Sequence, residues 1–228
     1  MPPKRNAFEV ELRDGLTVVL AEITPSEMLL ACKLAGNDPS ELVAGSKVTR
    51  TALRMSVREV AGKPVAAAEL DGSGWGKVFP RTRHVAQLAE FWGRIHTPSE
   101  TEIEALKASM VCELDGDGER WSFTLPGGLV VVMAEVPPET VDDALRAGQQ
   151  AAKSAHAQAI AATIESGRRA IRAIGGKPVT AADLAGAKWD AYFSVKLTAL
   201  LGVAFSEIHG SGADGGAPGE LKPISSTP

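Results

Sequence analysis

Cysteine is scarce in this chain: two residues in 228, Cys32 and Cys112, 80 positions apart. A disulfide framework or a thiolate metal site needs more partners, so two small buried thiols in a reducing cytoplasm are the expectation. Basic excess is missing too. Lys and Arg number 24 against 28 Asp and Glu, a formal charge of −4, with a pI near 5.7. That balance makes nucleic acid an unfavoured partner, although Arg81, Arg83 and His84 cluster, as do Arg168, Arg169 and Arg172. No run approaches the 18 or so apolar residues of a membrane span, so no membrane contact is expected. The start, Met1-Pro2-Pro3-Lys4-Arg5-Asn6, is basic but leads into no apolar stretch, which argues against a signal peptide.

Reactive motifs are also lacking. Gly210 to Gly215 has the spacing of a dinucleotide fingerprint, but a helical pattern precedes it where a strand is required. Gly72 to Lys77 resembles a phosphate loop with Asp71 and Val78 at positions that need Gly and Ser or Thr. Asp115-Gly116-Asp117-Gly118-Glu119 would suggest calcium, yet Arg120 and Pro126 replace the required Gly and Glu. Among His84, His96, His156 and His209 no two are four apart, and no cysteine lies near them. His96 and His209 each close a helical pattern, where a cation suits the carbonyl end of the dipole. Neither a G-x-S-x-G elbow nor H-E-x-x-H occurs. The reading is of a non-enzyme with no catalytic residue, cofactor or metal.

What the chain does have is an internal repeat. Gly62-Lys63-Pro64-Val65 returns as Gly176-Lys177-Pro178-Val179, and Arg54, Arg58 and Trp75 return as Arg168, Arg172 and Trp189. From 54–75 to 168–189, 11 of 22 residues are identical at a constant shift of 114, where chance gives roughly one or two. Upstream, Leu12, Gly15, Leu16, Val18, Val19, Ala21, Glu22 and Pro25 reappear 113 positions later, from Leu125 to Pro138.

Alternation at Phe8, Val10 and Leu12, the turn residues Asp14-Gly15 and the β-branched run after them predict a β-hairpin. Thr24-Pro25-Ser26-Glu27 predicts a capped helix start, and that helix should end near Gly36-Asn37. A second helix runs from about Ser40 to the mid-fifties, and a short hairpin turns at Ala61-Gly62. Gly72 to Gly76 reads as a flexible loop. An amphipathic helix follows from Pro80 to about His96. Thr97-Pro98-Ser99-Glu100 repeats the capping pattern before a helix to about Met110. Glu113 to Arg120 reads as the linker between halves. The second copy begins at Trp121, with helices predicted from Pro138 to about Ala147, Gln149 to Arg172 and Lys188 to His209. The Gly-, Ser- and Pro-rich residues 211–228 read as a disordered tail.

The fold class is therefore α+β, two similar tandem domains, each an N-terminal β-hairpin followed by a helical bundle. The first spans 1–112 and the second 113–210. Phe91 pairs with Phe205 in this alignment, whereas Phe79 and Trp92 have no clear counterpart. Trp75, Phe79, Trp92 and Trp189 are the candidate partner-contact residues, against core packing as the plainer role.

The hairpin at Val10 to Ile23, the helix start at Thr24 to Glu27, the Gly62 to Val65 turn and the helix at Arg81 to His96 resemble the small tail assembly chaperones of tailed bacteriophages. That resemblance implies a non-enzymatic protein of the host cytoplasm that binds the tape-measure protein and assists tail-tube polymerisation. It carries over no catalytic residue. Its tandem form and tail depart from the family pattern, which leaves a second expectation, a structural accessory component of a mature phage or contractile-injection particle (tail, baseplate or capsid). Phage tail proteins are the expected partners, with a homo-oligomer as a further expectation.

Overall fold

The computed structural model describes residues 6–36, 40–115, 118–152 and 154–210. Two antiparallel sheets and eight α-helices make up these residues, a mixed α+β fold that opens on a β-hairpin. Strands β1 (Ala7–Glu11) and β2 (Thr17–Ala21) form that hairpin, with Val10 opposite Val18. Leu12, Val18 and Leu20 point inward and are buried.

Helix α1 (Pro25–Ala35) begins as its sequence predicts. The Thr24 side chain accepts from the Glu27 amide at 3.2 Å, and the Glu27 carboxylate accepts from the Thr24 amide at 2.8 Å. Together they satisfy two of the free donors at the helix start. Helix α2 (Glu41–Ser56) runs directly into β3 (Val57–Val60), and β4 (Lys63–Pro64) completes the first sheet in the order β1-β2-β3-β4. Ala61 and Gly62, both at positive φ, make the tight turn between β3 and β4. A 3-10 turn over Ala67–Leu70, a short helix α3 (Gly74–Val78) and α4 (Thr82–His96) follow. The loop expected at Gly72 to Gly76 is thus largely helical. The Phe79 amide bonds the Trp75 carbonyl there, and both rings pack on the first core.

Helix α5 (Glu100–Ala108) is capped by Ser99 with Glu102, two residues beyond Thr97. Where a linker was expected, β5 (Val111–Asp115) pairs with β6 (Gly118–Leu125). The boundary anticipated at 112/113 therefore falls within β5, and Leu106 of α5 lies in the second core. Cys112 on β5 is exposed, so only Cys32 is buried.

The remaining elements are β7 (Leu129–Ala134), α6 (Pro138–Ala151), α7 (Ala155–Ala170), β8 (Ile171–Ile174), β9 (Lys177–Pro178), a 3-10 segment Gly186–Ala191 and α8 (Val195–Ile208). The second sheet is ordered β5-β6-β7-β8-β9. Arg172, expected at the end of a helix, sits in β8. The helix expected from Lys188 instead divides into the 3-10 segment and α8. The tail at 211–228 lies outside the described residues.

From β6 to β9 the order of strands and helices matches that from β1 to β4. After that, one 3-10 segment and α8 stand where the first half has a 3-10 turn, α3 and α4. The register shift between Val19 and Leu20, where β2 meets β3, recurs between Val132 and Met133, where β7 meets β8. Gly175-Gly176 turns at positive φ where Ala61-Gly62 does. Each half has its own core: Leu20, Leu53, Leu70, Phe79 and Leu88 in the first, Phe123, Met133, Leu184, Trp189 and Leu201 in the second. A third cluster joins them, with Ile23, Met28, Ala31 and Cys32 packed against Ala157, Ile160 and Val195.

Candidate functional site

Beside that third cluster two backbone amides bind one half to the other, and two half-buried ion pairs join α5 to α8. Lys196 donates to both carboxylate oxygens of Glu102, at 3.1 and 3.2 Å. Burial would raise the Glu102 carboxyl, but the Ser99 amide and the Lys196 ammonium outweigh it and leave it lowered. Lys107 pairs with Glu207 at 2.7 Å. The Ser26 amide donates to the Asp190 carboxylate, and the Val195 amide to the Ile23 carbonyl.

Next to these contacts a cleft of about 630 Å³ separates the halves, within the size range of ligand-binding clefts. Its first wall is β1 and the end of α4, with Phe8, Val10 and Arg94. Its second is the β6–β7 turn and the approach to α8, with Gly127, Tyr192 and Lys196. Phe8 and Tyr192 are both more than a third exposed. The cleft combines apolar surface with charge.

Above the cleft, the end of α4 is bound to the chain after β2 by a histidine. His96 Nε2 accepts from the Ile23 amide at 3.0 Å, so the proton sits on Nδ1 and is donated to the Trp92 carbonyl at 2.9 Å. The second half repeats the arrangement: the Val136 amide donates to His209 Nε2 at 3.0 Å, and His209 Nδ1 lies 2.8 Å from the Phe205 carbonyl. Each ring stacks on the aromatic residue four positions earlier, Trp92 and Phe205. Phe205 thus corresponds to Trp92 and not to Phe91. The role expected of His96 as a cation at a helix end is also corrected, because burial lowers its pKa to about 4.

The four candidate contact residues are dispersed. Phe79 and Trp189 are fully inside the two cores, at 3% and 1% exposure, which removes them as surface anchors. Phe79 also has a counterpart: the Trp75 and Phe79 rings lie tilted with centroids 5.3 Å apart, those of Trp189 and Phe193 at 4.7 Å. Trp75 and Trp92 are half-buried and pack on the first core. The Trp189 indole N–H donates to Thr198.

The basic clusters are committed to internal contacts. Asp14 accepts from His84 at 2.7 Å and from Arg81 at 2.8 Å, with Arg83 at 3.6 Å. The His84 bond is the largest of the causes that lower the Asp14 carboxyl. This cluster pins the β1–β2 turn to the start of α4, and Gly127 and Leu197 occupy the positions 113 residues on. Arg168 pairs with Glu165, Arg169 lies 3.8 Å from Asp143, and Arg172 donates to the Arg169 and Ile171 carbonyls.

Among the described residues no three His, Cys, Asp or Glu side chains are placed to hold a metal ion, and no helix is long and apolar enough to cross a membrane. Sequence reasoning missed the cleft, because its walls come from segments more than 100 residues apart and no short motif marks them. The chain matches no family model, no curated protein and no solved structure, so any family reading rests on the residues described above.

Proposed function

We propose that the chain is a non-enzymatic assembly protein that acts in the host cytoplasm by binding phage tail proteins, the tape-measure or tail-tube subunits, in the manner of a tail assembly chaperone. The observation that supports this reading is what the halves share. Strand order, strand register and the histidine bond recur, while the titratable cluster of Asp14 with His84 does not. A duplicated scaffold without a duplicated reactive group suits contact with a repeating partner. Linking two such units raises the effective concentration of the second contact to about the millimolar range when the spacing fits.

Co-expression with the tape-measure and tail-tube proteins encoded nearby, followed by pull-down, tests this. A complex that survives washing is the expected result, and recovery of the chain alone would remove the proposal.

A further inference from the structure

In the second half, β5 covers the outer edge of β6 as an antiparallel strand, with Cys112 opposite Trp121 and Glu113 opposite Arg120. The β6 residues that turn their backbone groups toward β5 are the alternate ones. The Glu135 amide bonds the Glu119 carbonyl, which assigns the odd positions to β7 and leaves Arg120, Ser122 and Thr124 facing out. The Thr124 amide accordingly donates to Ser109 Oγ at 3.0 Å.

The corresponding edge in the first half is β1. The Leu12 amide bonds the Leu16 carbonyl and the Glu22 amide bonds the Asn6 carbonyl, so the even positions belong to β2. Ala7, Glu9 and Glu11 present their N–H and C=O groups outward, 113 positions before Arg120, Ser122 and Thr124. Among the described residues no strand covers this edge. An uncovered edge is a template for a further strand.

Charge and shape specify the occupant. Glu9 and Glu11 share the solvent face of β1, and neither has an ion-pair partner among the described residues. Residues placed opposite them would need to be cationic, as Arg120 stands opposite Glu113 on the covered edge. Phe8, on the other face, borders the cleft and offers apolar contact. A second copy of β1 or β5 would bring acid against acid. We propose that the outer edge of β1 docks an extended partner segment that alternates cationic and apolar residues, added antiparallel as β5 is added to β6. The inference rests on the reading that the chain works by binding proteins, and it names the surface and the chemistry of the bound segment.

The probe is a fluorescein-labelled six-residue peptide of alternating lysine and valine, added to the full chain. Binding is read by anisotropy, and amide exchange at Ala7, Glu9 and Glu11 by NMR. Peptides of alternating glutamate and valine, and of backbone-N-methylated lysine with valine, are the controls, since the residues opposite Glu9 and Glu11 are the ones whose amides face β1. The expected result is saturable binding of the first peptide alone, with exchange slowed about tenfold at those amides. The double variant Glu9→Lys with Glu11→Lys, both on the surface, should weaken binding about tenfold. No binding, equal binding of the N-methylated peptide, or protection elsewhere would overturn the inference. If tail proteins still co-purify in that case, the assembly reading survives and the β1 edge alone is rejected.

Discussion

Protonating His96 would cost the fold the acceptor for the Ile23 amide, so its buried neutral ring ties stability to pH. Its pKa falls from 6.5 to about 4 in the folded chain. Between those values the unfolded chain binds the extra proton, so stability is fully present above pH 6.5 and lost as pH falls toward 4. The loss from this residue amounts to about 3 kcal/mol. Urea unfolding across that range should show it, and His96→Gln, which does not titrate, should flatten the slope. Phe79 supplies a second test at this scale. As a core residue it should cost about 3–5 kcal/mol when changed to alanine, measured by thermal unfolding. A variant of unchanged stability would return Phe79 to the surface role first considered. The repeated Gly-Lys-Pro-Val motif was legible as a turn, since positive φ at Gly62 and Gly176 is a local requirement. The histidine bond was not, because its acceptor role depends on an amide 73 residues away.

At the scale of elements, helix starts with side-chain caps were readable and close helix approaches were not. Gly148 in α6 lies against α7 so tightly that an added Cβ would stand 2.6 Å from the Ala162 Cβ. Gly148→Ala should therefore destabilise by about 1–3 kcal/mol through overpacking. Gly45 in α2 meets nothing within 4 Å, so Gly45→Ala should stabilise by up to about 1 kcal/mol through helix propensity. Opposite signs in denaturant unfolding would confirm which helix pair is in contact, and equal signs would contradict it. The β5–β6 hairpin escaped the sequence reading for a related reason. Its acidic, Gly-containing centre has the composition of a linker, and only pairing with β6 makes Val111–Asp115 a strand. Likewise Gly74-Trp75-Gly76 has the composition of a loop, yet contact with Leu70 and Phe79 in the first core holds it in α3.

For the whole molecule, the sequence repeat predicted recurring elements and gave no indication of how the halves meet. Ile23, Met28 and Cys32 of the first half are buried against Ala157 and Ile160 of the second. The cleft follows from that arrangement. The proposed assembly role requires that both halves contact tail proteins. Lys63 and Lys177, exposed at equivalent positions in the two turns, provide matched handles for a lysine-reactive cross-linker. The decisive measurement is cross-linking mass spectrometry of the chain co-expressed with tape-measure and tail-tube proteins. Cross-links from Lys63 and from Lys177 to the same partner are expected, whereas cross-links from one half only, or none at all, would overturn the proposed role.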